Sequence, residues 1–162
     1  MQISEAFRHP GEDIPFRYDL TAENQEFGGR PLEFLAPLSV DGVYRYDGDA
    51  IVVEGNVSTT LNSVCARCAE EFPEPLSFTF SERFLKPADV EADTDDYSYD
   101  GDTLNPDQAV MDNLYLNVPI ISYCRPDCKG LCPVCGSNRN LSDCGCPEPG
   151  LDNAFAILKN EF

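Results

Sequence analysis

The sequence contains few of the side chains on which most enzymes rely for catalysis. It has no Trp and a single histidine, His9, which is predicted to be a surface residue in a loop without a Ser or Cys partner. It contains no phosphate-binding loop, dinucleotide fingerprint or nucleophile elbow. Acidic residues are so plentiful that no one pair stands out as general acid and base. These absences predict a protein that is not an enzyme and has no small-molecule substrate.

Basic residues are also scarce, since 11 Lys and Arg residues stand against 29 Asp and Glu residues and the formal net charge is -18. A polyanionic surface repels phosphate backbones, which argues against nucleic-acid binding over a broad face. An ion held by four thiolates would add about two further negative charges. The partner that this charge favours is a basic protein.

Long apolar segments are missing as well. Residues 1–10 hold no basic run followed by an apolar segment, and no later window approaches the length that crosses a bilayer. We therefore expect a cytoplasmic protein with no membrane association. Thiols stay reduced in the cytoplasm, so clustered cysteines there indicate metal binding more often than disulfides.

Three parts of the chain show patterns that are typical of half-buried strands. Residues Ile14 to Leu20 alternate strictly between apolar and polar side chains. Residues 35–46 and 50–60 flank the turn sequence Asp47-Gly48-Asp49 and predict an antiparallel hairpin. Alternating Phe and Ser or Thr residues predict a further strand over 74–85.

Other segments have different patterns. Residues 24–31 contain Gly28-Gly29 and are predicted to form a loop. A short helix is predicted over 106–116, with Asn105 as its cap. The apolar residues 118–123 predict a strand, and residues 151–158 are expected to form one or two helical turns.

The stretch from Asp89 to Asp102 holds seven acidic residues and few apolar ones. It cannot bury enough surface to hold one conformation, so a solvated loop is predicted. A sharper interpretation is an acidic arm that docks a basic partner. The residues do not follow the order of a calcium-binding EF-hand.

These patterns predict an α+β fold, mainly an antiparallel sheet with a short helix near 106–116 and a C-terminal cysteine-rich zinc-knuckle lobe. We expect a single domain over 1–162. Its predicted parts are a β-rich body (1–88), the acidic loop (89–103), a helix and strand (104–123), a metal lobe (124–146) and a tail (147–162).

Eight cysteines are the most informative residues of the chain, and six of them lie between Cys124 and Cys146. Two Cys separated by two residues can bind one zinc ion from a single tight turn, and eight thiols suffice for two tetrahedral sites. We therefore predict two structural zinc ions. The candidate ligands are Cys65, Cys68, Cys124, Cys128, Cys132, Cys135, Cys144 and Cys146.

The pairing of these ligands stays open at the level of sequence. One division places Cys132, Cys135, Cys144 and Cys146 in one site and the other four in a second. In another, Cys128 joins Cys132 and Cys135, and Cys144 or Cys146 stays free. Iron serves such sites as well as zinc does. Disulfides and a redox-active CxxC are weaker interpretations.

A few cations lie among the cysteines, and they are the candidate contacts for RNA or for a partner: Arg67, Arg125, Lys129 and Arg139. If any surface of the chain meets phosphate, it is this one. The simpler interpretation is that these cations offset thiolate charge.

The order of these motifs resembles the YceD family, also described as large ribosomal RNA subunit accumulation proteins. The resemblance covers about residues 39–146 and includes Val64-Cys-Ala-Arg-Cys68 with Phe72, then Leu116-Asn-Val-Pro119. It is strongest in Cys128-Lys-Gly-Leu-Cys-Pro-Val-Cys-Gly136, with Asn138, Asn140 and the closing Cys-Gly-Cys. The usual Asp-Pro-Arg near the end is here Asp152-Asn153-Ala154.

The resemblance implies a cytoplasmic bacterial factor, without known catalytic activity, that acts in ribosome assembly and supports accumulation of large-subunit rRNA. Many relatives lack part or all of the C-terminal cysteine set, which makes metal an accessory to that role and not its chemistry. Together with the charge, this favours a non-enzymatic factor that works through a basic ribosomal protein or a pre-ribosomal particle. Direct rRNA binding by the zinc lobe is the alternative, followed by a thiol oxidoreductase.

Overall fold

The alternating sequence patterns become the strands of one sheet in the computed structural model, which describes residues 1–89 and 96–147. The elements, in chain order, are α1 (Ser4–Arg8), β1 (Ile14–Leu20), β2 (Gln25–Phe27), β3 (Arg30–Phe34), β4 (Leu38–Tyr46), β5 (Ile51–Val64), β6 (Glu71–Leu85), β7 (Tyr97–Ser98) and α2 (Asp107–Asn117). The predicted α+β class with a mainly antiparallel sheet is confirmed.

The chain divides into two compact units. The first comprises Met1–Ser63 and Pro73–Ile120, and the second comprises Val64–Phe72 and Ile121–Phe162. The expected single domain over 1–162, with its subdivision, stays a prediction. None of the helices in residues 1–89 and 96–147 has the length and apolar character needed to span a bilayer.

Strand β5 is the centre of the sheet because its neighbours pair along different parts of its length. Residues 51–58 pair with β4, residues 61–62 pair with β3, and β6 also pairs with β5. Strand β1 pairs with β4 over all seven of its residues, so the predicted strand is confirmed with its bounds. The predicted hairpin of β4 and β5 and the predicted strand at β6 are confirmed too.

The core of the first unit lies on one face of this sheet. Alternate residues of β6 are buried there, among them Phe78, Phe80 and Phe84, together with Val53 and Val57 of β5. Helix α2 adds Val110 and Leu114. Its predicted position is confirmed, and its start is stabilised by the Asn105 side chain, whose Oδ1 accepts the Asp107 N–H at 3.1 Å.

The predicted loop over 24–31 is wrong, because β2 and β3 form an antiparallel hairpin there. Gly28 and Gly29 form its two-residue turn with φ values of 61° and 77°. A two-residue hairpin turn with positive φ at both positions matches the twist of the strands and favours glycine. The short helix α1 was not predicted.

The strand predicted over 118–123 is also wrong, since these residues belong to no strand of the described chain. The Arg30 guanidinium donates to Ile120 O at 2.8 Å and to Pro119 O. These carbonyls therefore accept from a side chain and not from the backbone of a neighbouring strand. Pro119 has no N–H for a ladder. The Ile120 side chain is 87% exposed.

Of the predicted acidic loop over 89–103, residues 89 and 96–103 belong to the described part of the chain. Tyr97–Ser98 forms β7 beside β6, and Tyr99 is buried, so the loop does not extend across these residues. Residues 90–95 and the predicted helical turns over 151–158 lie outside the described residues.

Candidate metal centres

The eight cysteines form two groups of four in the second unit. We call Cys65, Cys68, Cys124 and Cys128 the inner cluster, and Cys132, Cys135, Cys144 and Cys146 the outer cluster. In each cluster the four Sγ atoms lie within 4.8 Å of one another. These are the groups of the first division considered from the sequence. The other division, with Cys128 beside Cys132 and Cys135, does not describe the observed groups.

The inner cluster is built on the connection between β5 and β6. A tight turn carries Cys65 and Cys68, with Ala69 N donating to Cys65 O and Cys65 N donating to Glu70 O, both at 2.9 Å. Ala66 N donates to Ser122 O at 2.9 Å, which aligns this turn with the segment that carries Cys124. The turn therefore delivers two thiols to one point.

The outer cluster starts from a second turn of the same kind. Gly136 N donates to Cys132 O, and Cys132 N donates to Ser137 O, both at 2.8 Å. Gly136 has a φ of 75°, a conformation in which a residue without a side chain is favoured. Cys132 is buried, whereas Cys135 is exposed. The outer cluster thus lies nearer to solvent than the inner one.

The sulfur distances of the inner cluster fit a tetrahedral ion. Zinc–sulfur bonds of about 2.3 Å place neighbouring sulfurs of a tetrahedron about 3.8 Å apart. The Sγ atoms of Cys65 and Cys128 are 3.8 Å apart, and those of Cys68 and Cys124 are 3.7 Å apart. A disulfide needs a separation of about 2.05 Å. All eight cysteines are free thiols, and both clusters could hold a metal ion.

The thiols within each cluster differ in acidity. The Cys124 N–H contributes most to lowering the pKa of Cys65 to about 6, and the Cys146 N–H does the same for Cys144, also to about 6. Burial, followed by hydrogen bonding to Cys65, raises the pKa of Cys124 to about 12. Hydrogen bonding to Cys135 raises the pKa of Cys146 to about 12. Four ionised thiols held this close together repel one another. A divalent cation would offset that repulsion and let all four thiols of a cluster ionise.

Two asparagines that were not predicted to belong to the site support the inner cluster, Asn140 by direct contact and Asn138 through Asn140. Asn140 Nδ2 donates to Cys128 Sγ at 3.3 Å, and its Oδ1 accepts the Lys129 N–H at 2.8 Å. Asn138 Oδ1 accepts the Asn140 N–H at 2.9 Å. The signals available in the sequence were their position between two pairs of cysteines and their place among the residues that carry the family resemblance.

The four predicted cations have different surroundings. The Arg67 guanidinium donates to Pro126 O at 3.0 Å and to Cys128 O at 3.2 Å, and it lies 4.6 Å from the centre of the Tyr123 ring. Arg125 lies 3.5 Å from the Asp127 carboxylate. Lys129 and Arg139 are exposed and together line a shallow cleft of about 230 Å³. The structure thus brings together Lys129 and Arg139 in one cleft, and it fixes Arg67 against the inner cluster.

Known proteins match much of this chain. An uncharacterized protein of Mycobacterium leprae is 28% identical over 132 residues, which cover 78% of this chain and 60% of that protein. An uncharacterized protein of Mycobacterium tuberculosis is 30% identical over 92 residues, 54% of this chain and 44% of that protein. The chain spans about half the length of the curated relatives that it matches. No solved structure matches it.

A maize protein named large ribosomal RNA subunit accumulation protein YCED homolog 1, chloroplastic, is 28% identical over 142 residues, 68% of this chain and 48% of that protein. The family model described as large ribosomal RNA subunit accumulation protein YceD matches residues 53–160. This range includes most of β5, all of β6 and α2, and all eight cysteines. The chain therefore belongs to the YceD family.

Proposed function

We propose that this chain is a non-enzymatic ribosome-biogenesis factor that supports accumulation of large-subunit rRNA through a basic protein partner. The observation that carries the proposal is the family match over 53–160, with the name that the family and the maize relative share. The proposed setting is the cytoplasm, where ribosomes assemble and thiols stay reduced.

The distribution of charge supports a basic partner. Of the 29 Asp and Glu residues, 22 belong to the first unit, which has only six of the 11 Lys and Arg residues. A field of this sign attracts cationic proteins and speeds their association at low ionic strength. The factor would then shield or position a basic ribosomal component until that component meets RNA.

The proposed cofactor is structural zinc, one ion in each cluster. Four thiolates fill the coordination sphere of a tetrahedral ion and leave no position for water or substrate. Such a site stabilises the fold and supplies no hydrolytic chemistry, which supports a non-enzymatic role. Metal content and thiol reactivity of protein purified under reducing conditions test this part. Two zinc ions per chain and slowly alkylated thiols are expected, whereas no metal and rapidly alkylated thiols would favour a thiol oxidoreductase.

The biological role is tested in cells from which the gene for this chain is deleted. The ratio of large-subunit to small-subunit rRNA should fall and recover when the chain is expressed again. An unchanged ratio would contradict the proposed role.

The partner is tested with the purified chain and purified basic ribosomal proteins of the large subunit. We expect binding at low ionic strength that weakens as salt is added, because exposed charges are screened. The double variant Lys129→Ala and Arg139→Ala is the control and should bind these proteins at least as well. Failure to bind any of them at low salt would exclude the proposed partner class.

A second candidate function is direct binding of rRNA by the second unit, and the surroundings of its cations favour it. By sequence, this unit has five Lys and Arg residues and seven Asp and Glu residues, so its excess of acidic charge is far smaller than that of the first unit. Arg67 over the Tyr123 ring and the cleft of Lys129 and Arg139 offer a stacking surface and phosphate ligands.

The same double variant separates the two candidates, because it should weaken RNA binding and leave protein binding intact. The double variant Arg8→Ala and Arg17→Ala removes two exposed cations from the first unit; it is the matched control and should leave RNA binding unchanged.

A further inference from the structure

The two clusters differ in how they join the chain. The inner cluster connects residues far apart in sequence, since Cys65 and Cys128 are separated by 63 positions and Cys68 and Cys124 by 56. Three of its four cysteines are buried. The outer cluster lies within residues 132–146, and only Cys132 of its members is buried. An ion in the outer cluster would therefore be the more accessible one.

The loop that the outer cluster closes, residues 136–143, reaches the inner cluster. The contact is Asn140, whose amide donates to Cys128 Sγ at 3.3 Å and accepts from Lys129 N at 2.8 Å. Asn140 thus bridges a ligand of the inner cluster and the backbone next to that ligand. Cys135 and Cys144, on either side of the loop, belong to the outer cluster.

Further hydrogen bonds hold Asn140 in this orientation. Asn138 Oδ1 accepts from both the backbone N–H and the Nδ2 of Asn140, at 2.9 and 2.8 Å. Asn138 Nδ2 in turn donates to Glu70 Oε1 at 3.0 Å, beside the first turn. Arg139 N donates to Gly130 O at 2.9 Å. The loop is therefore anchored on the segments that carry the inner ligands.

An N–H bonded to a ligating sulfur stabilises the negative charge of the thiolate and fixes its direction. Loss of an outer-shell partner of this kind typically lowers metal affinity about 10- to 100-fold. Asn140 lies in the 136–143 loop, and the residues at both ends of that loop, Cys135 and Cys144, belong to the outer cluster. A change in the outer cluster is therefore expected to alter the hydrogen bond from Asn140 to Cys128.

We propose that Asn140 is a positioning residue of the inner cluster and that an ion in the outer cluster holds it in place. The outer ion thereby controls how tightly the inner cluster retains its own ion. This inference rests on the proposed binding of one zinc ion to each cluster. It makes the outer cluster the exchangeable, zinc-responsive site of the protein and the inner cluster the retained one.

Release of zinc from the full-length, zinc-loaded chain to an excess of a coloured chelator such as 4-(2-pyridylazo)resorcinol tests the proposal. We expect two phases of equal size, the fast one from the outer cluster and the slow one from the inner cluster. The double variant Cys135→Ser and Cys144→Ser should bind one zinc ion and release it about tenfold or more faster than the slow phase of the unaltered chain.

Asn140→Asp is the sharper variant, because its carboxylate can still accept the Lys129 N–H but can donate neither to Cys128 Sγ nor to Asn138 Oδ1. The slow phase should accelerate about tenfold or more, and the sulfur-to-metal charge-transfer band of the cobalt-substituted protein should shift. Ser142→Asp places the same charge in the same loop at an exposed position, and it should leave the slow phase and the band unchanged.

Release of both ions at one rate, an unchanged slow phase in Asn140→Asp, or equal acceleration by Ser142→Asp would each overturn this inference while leaving two zinc sites in place. A purified chain without zinc would instead contradict the proposed cofactor. The two failures are therefore distinguishable before any variant is made.

Discussion

Gly130 shows how a single residue allows the two segments of the second unit to approach each other. It is buried and has a φ of 71°, and a Cβ atom at this position would lie 2.9 Å from the Arg67 carbonyl oxygen. The next residue, Leu131, donates its N–H to that same oxygen at 2.9 Å. Any side chain at 130 would therefore push the backbone away from the turn that carries Cys65 and Cys68.

Gly130→Ala should lower the free energy of unfolding of the second unit. The left-handed backbone costs an L-residue about 1–2 kcal/mol, and the overlap with Arg67 O adds about 1–3 kcal/mol. Gly136→Ala is the matched control, because Gly136 has a φ of 75° and an added Cβ atom would meet no other atom within 4 Å. Urea unfolding should show the larger loss for Gly130→Ala. Equal losses would mean that backbone strain alone is responsible.

At the scale of an element, the hairpin of β4 and β5 is closed by a turn that Asp47 organises. Its Oδ1 accepts the N–H groups of Asp49 and Ala50 at 3.0 and 2.8 Å, and Arg83 Nη2 lies 3.4 Å from its other oxygen. The Ala50 N–H, followed by that of Asp49, lowers the pKa of Asp47 below its ordinary value of 3.8. The ionised carboxylate thus stabilises the turn.

This turn makes a pH-dependent contribution to stability with a defined sign. A lowered folded-state pKa means that the contribution is complete above about pH 3.8 and is lost as pH falls through the lower folded value. Asp47→Asn should therefore cost on the order of 1 kcal/mol at neutral pH. The difference from the unaltered chain should shrink in acid, as measured by urea unfolding at a series of pH values. A difference that is constant with pH would show that ionised Asp47 is not responsible.

At the scale of the whole molecule, the two units are stabilised by different means. The first unit has a large apolar core drawn from its strands and both helices. The buried residues that cluster in the second unit are Cys65, Cys68 and Cys128, with only Phe72 and Cys124 packed against them in the described part of the chain. The apolar contacts among the described residues of this unit are too few to offset the entropy of ordering them, and a metal ion in each cluster would add stability there.

Removal of metal should therefore affect the two units differently. With excess chelator and a reductant, the amides of residues 64–72 and 121–147 should lose hydrogen-exchange protection. The far-UV circular dichroism of the sheet should change little, because its core does not depend on thiol ligands. Loss of protection throughout the sheet, or protection of the second unit that survives chelation, would refute this account.

Local patterns of the sequence determined much of this protein. Strict alternation from Ile14 to Leu20 predicted β1 with its bounds, and Asp47-Gly48-Asp49 located the hairpin turn. The spacing of the cysteines indicated metal chemistry, since a CxxC turn presents two thiols regardless of what surrounds it. The Gly28-Gly29 turn was equally local, but its flanking strands are too short for alternation to be recognised.

Only the tertiary structure decided which distant groups meet. Cys65 lies beside Cys128 although 63 positions separate them in the chain, and spacing alone left Cys128 open to another group. The Arg30 side chain binds backbone carbonyls of the segment 118–120, which joins no strand of the described chain. Asn140 donates to a cysteine sulfur from the segment between two pairs of cysteines. Periodicity and turn chemistry act over a few residues, whereas these contacts join positions 12 to 90 apart, so only the folded chain specifies them.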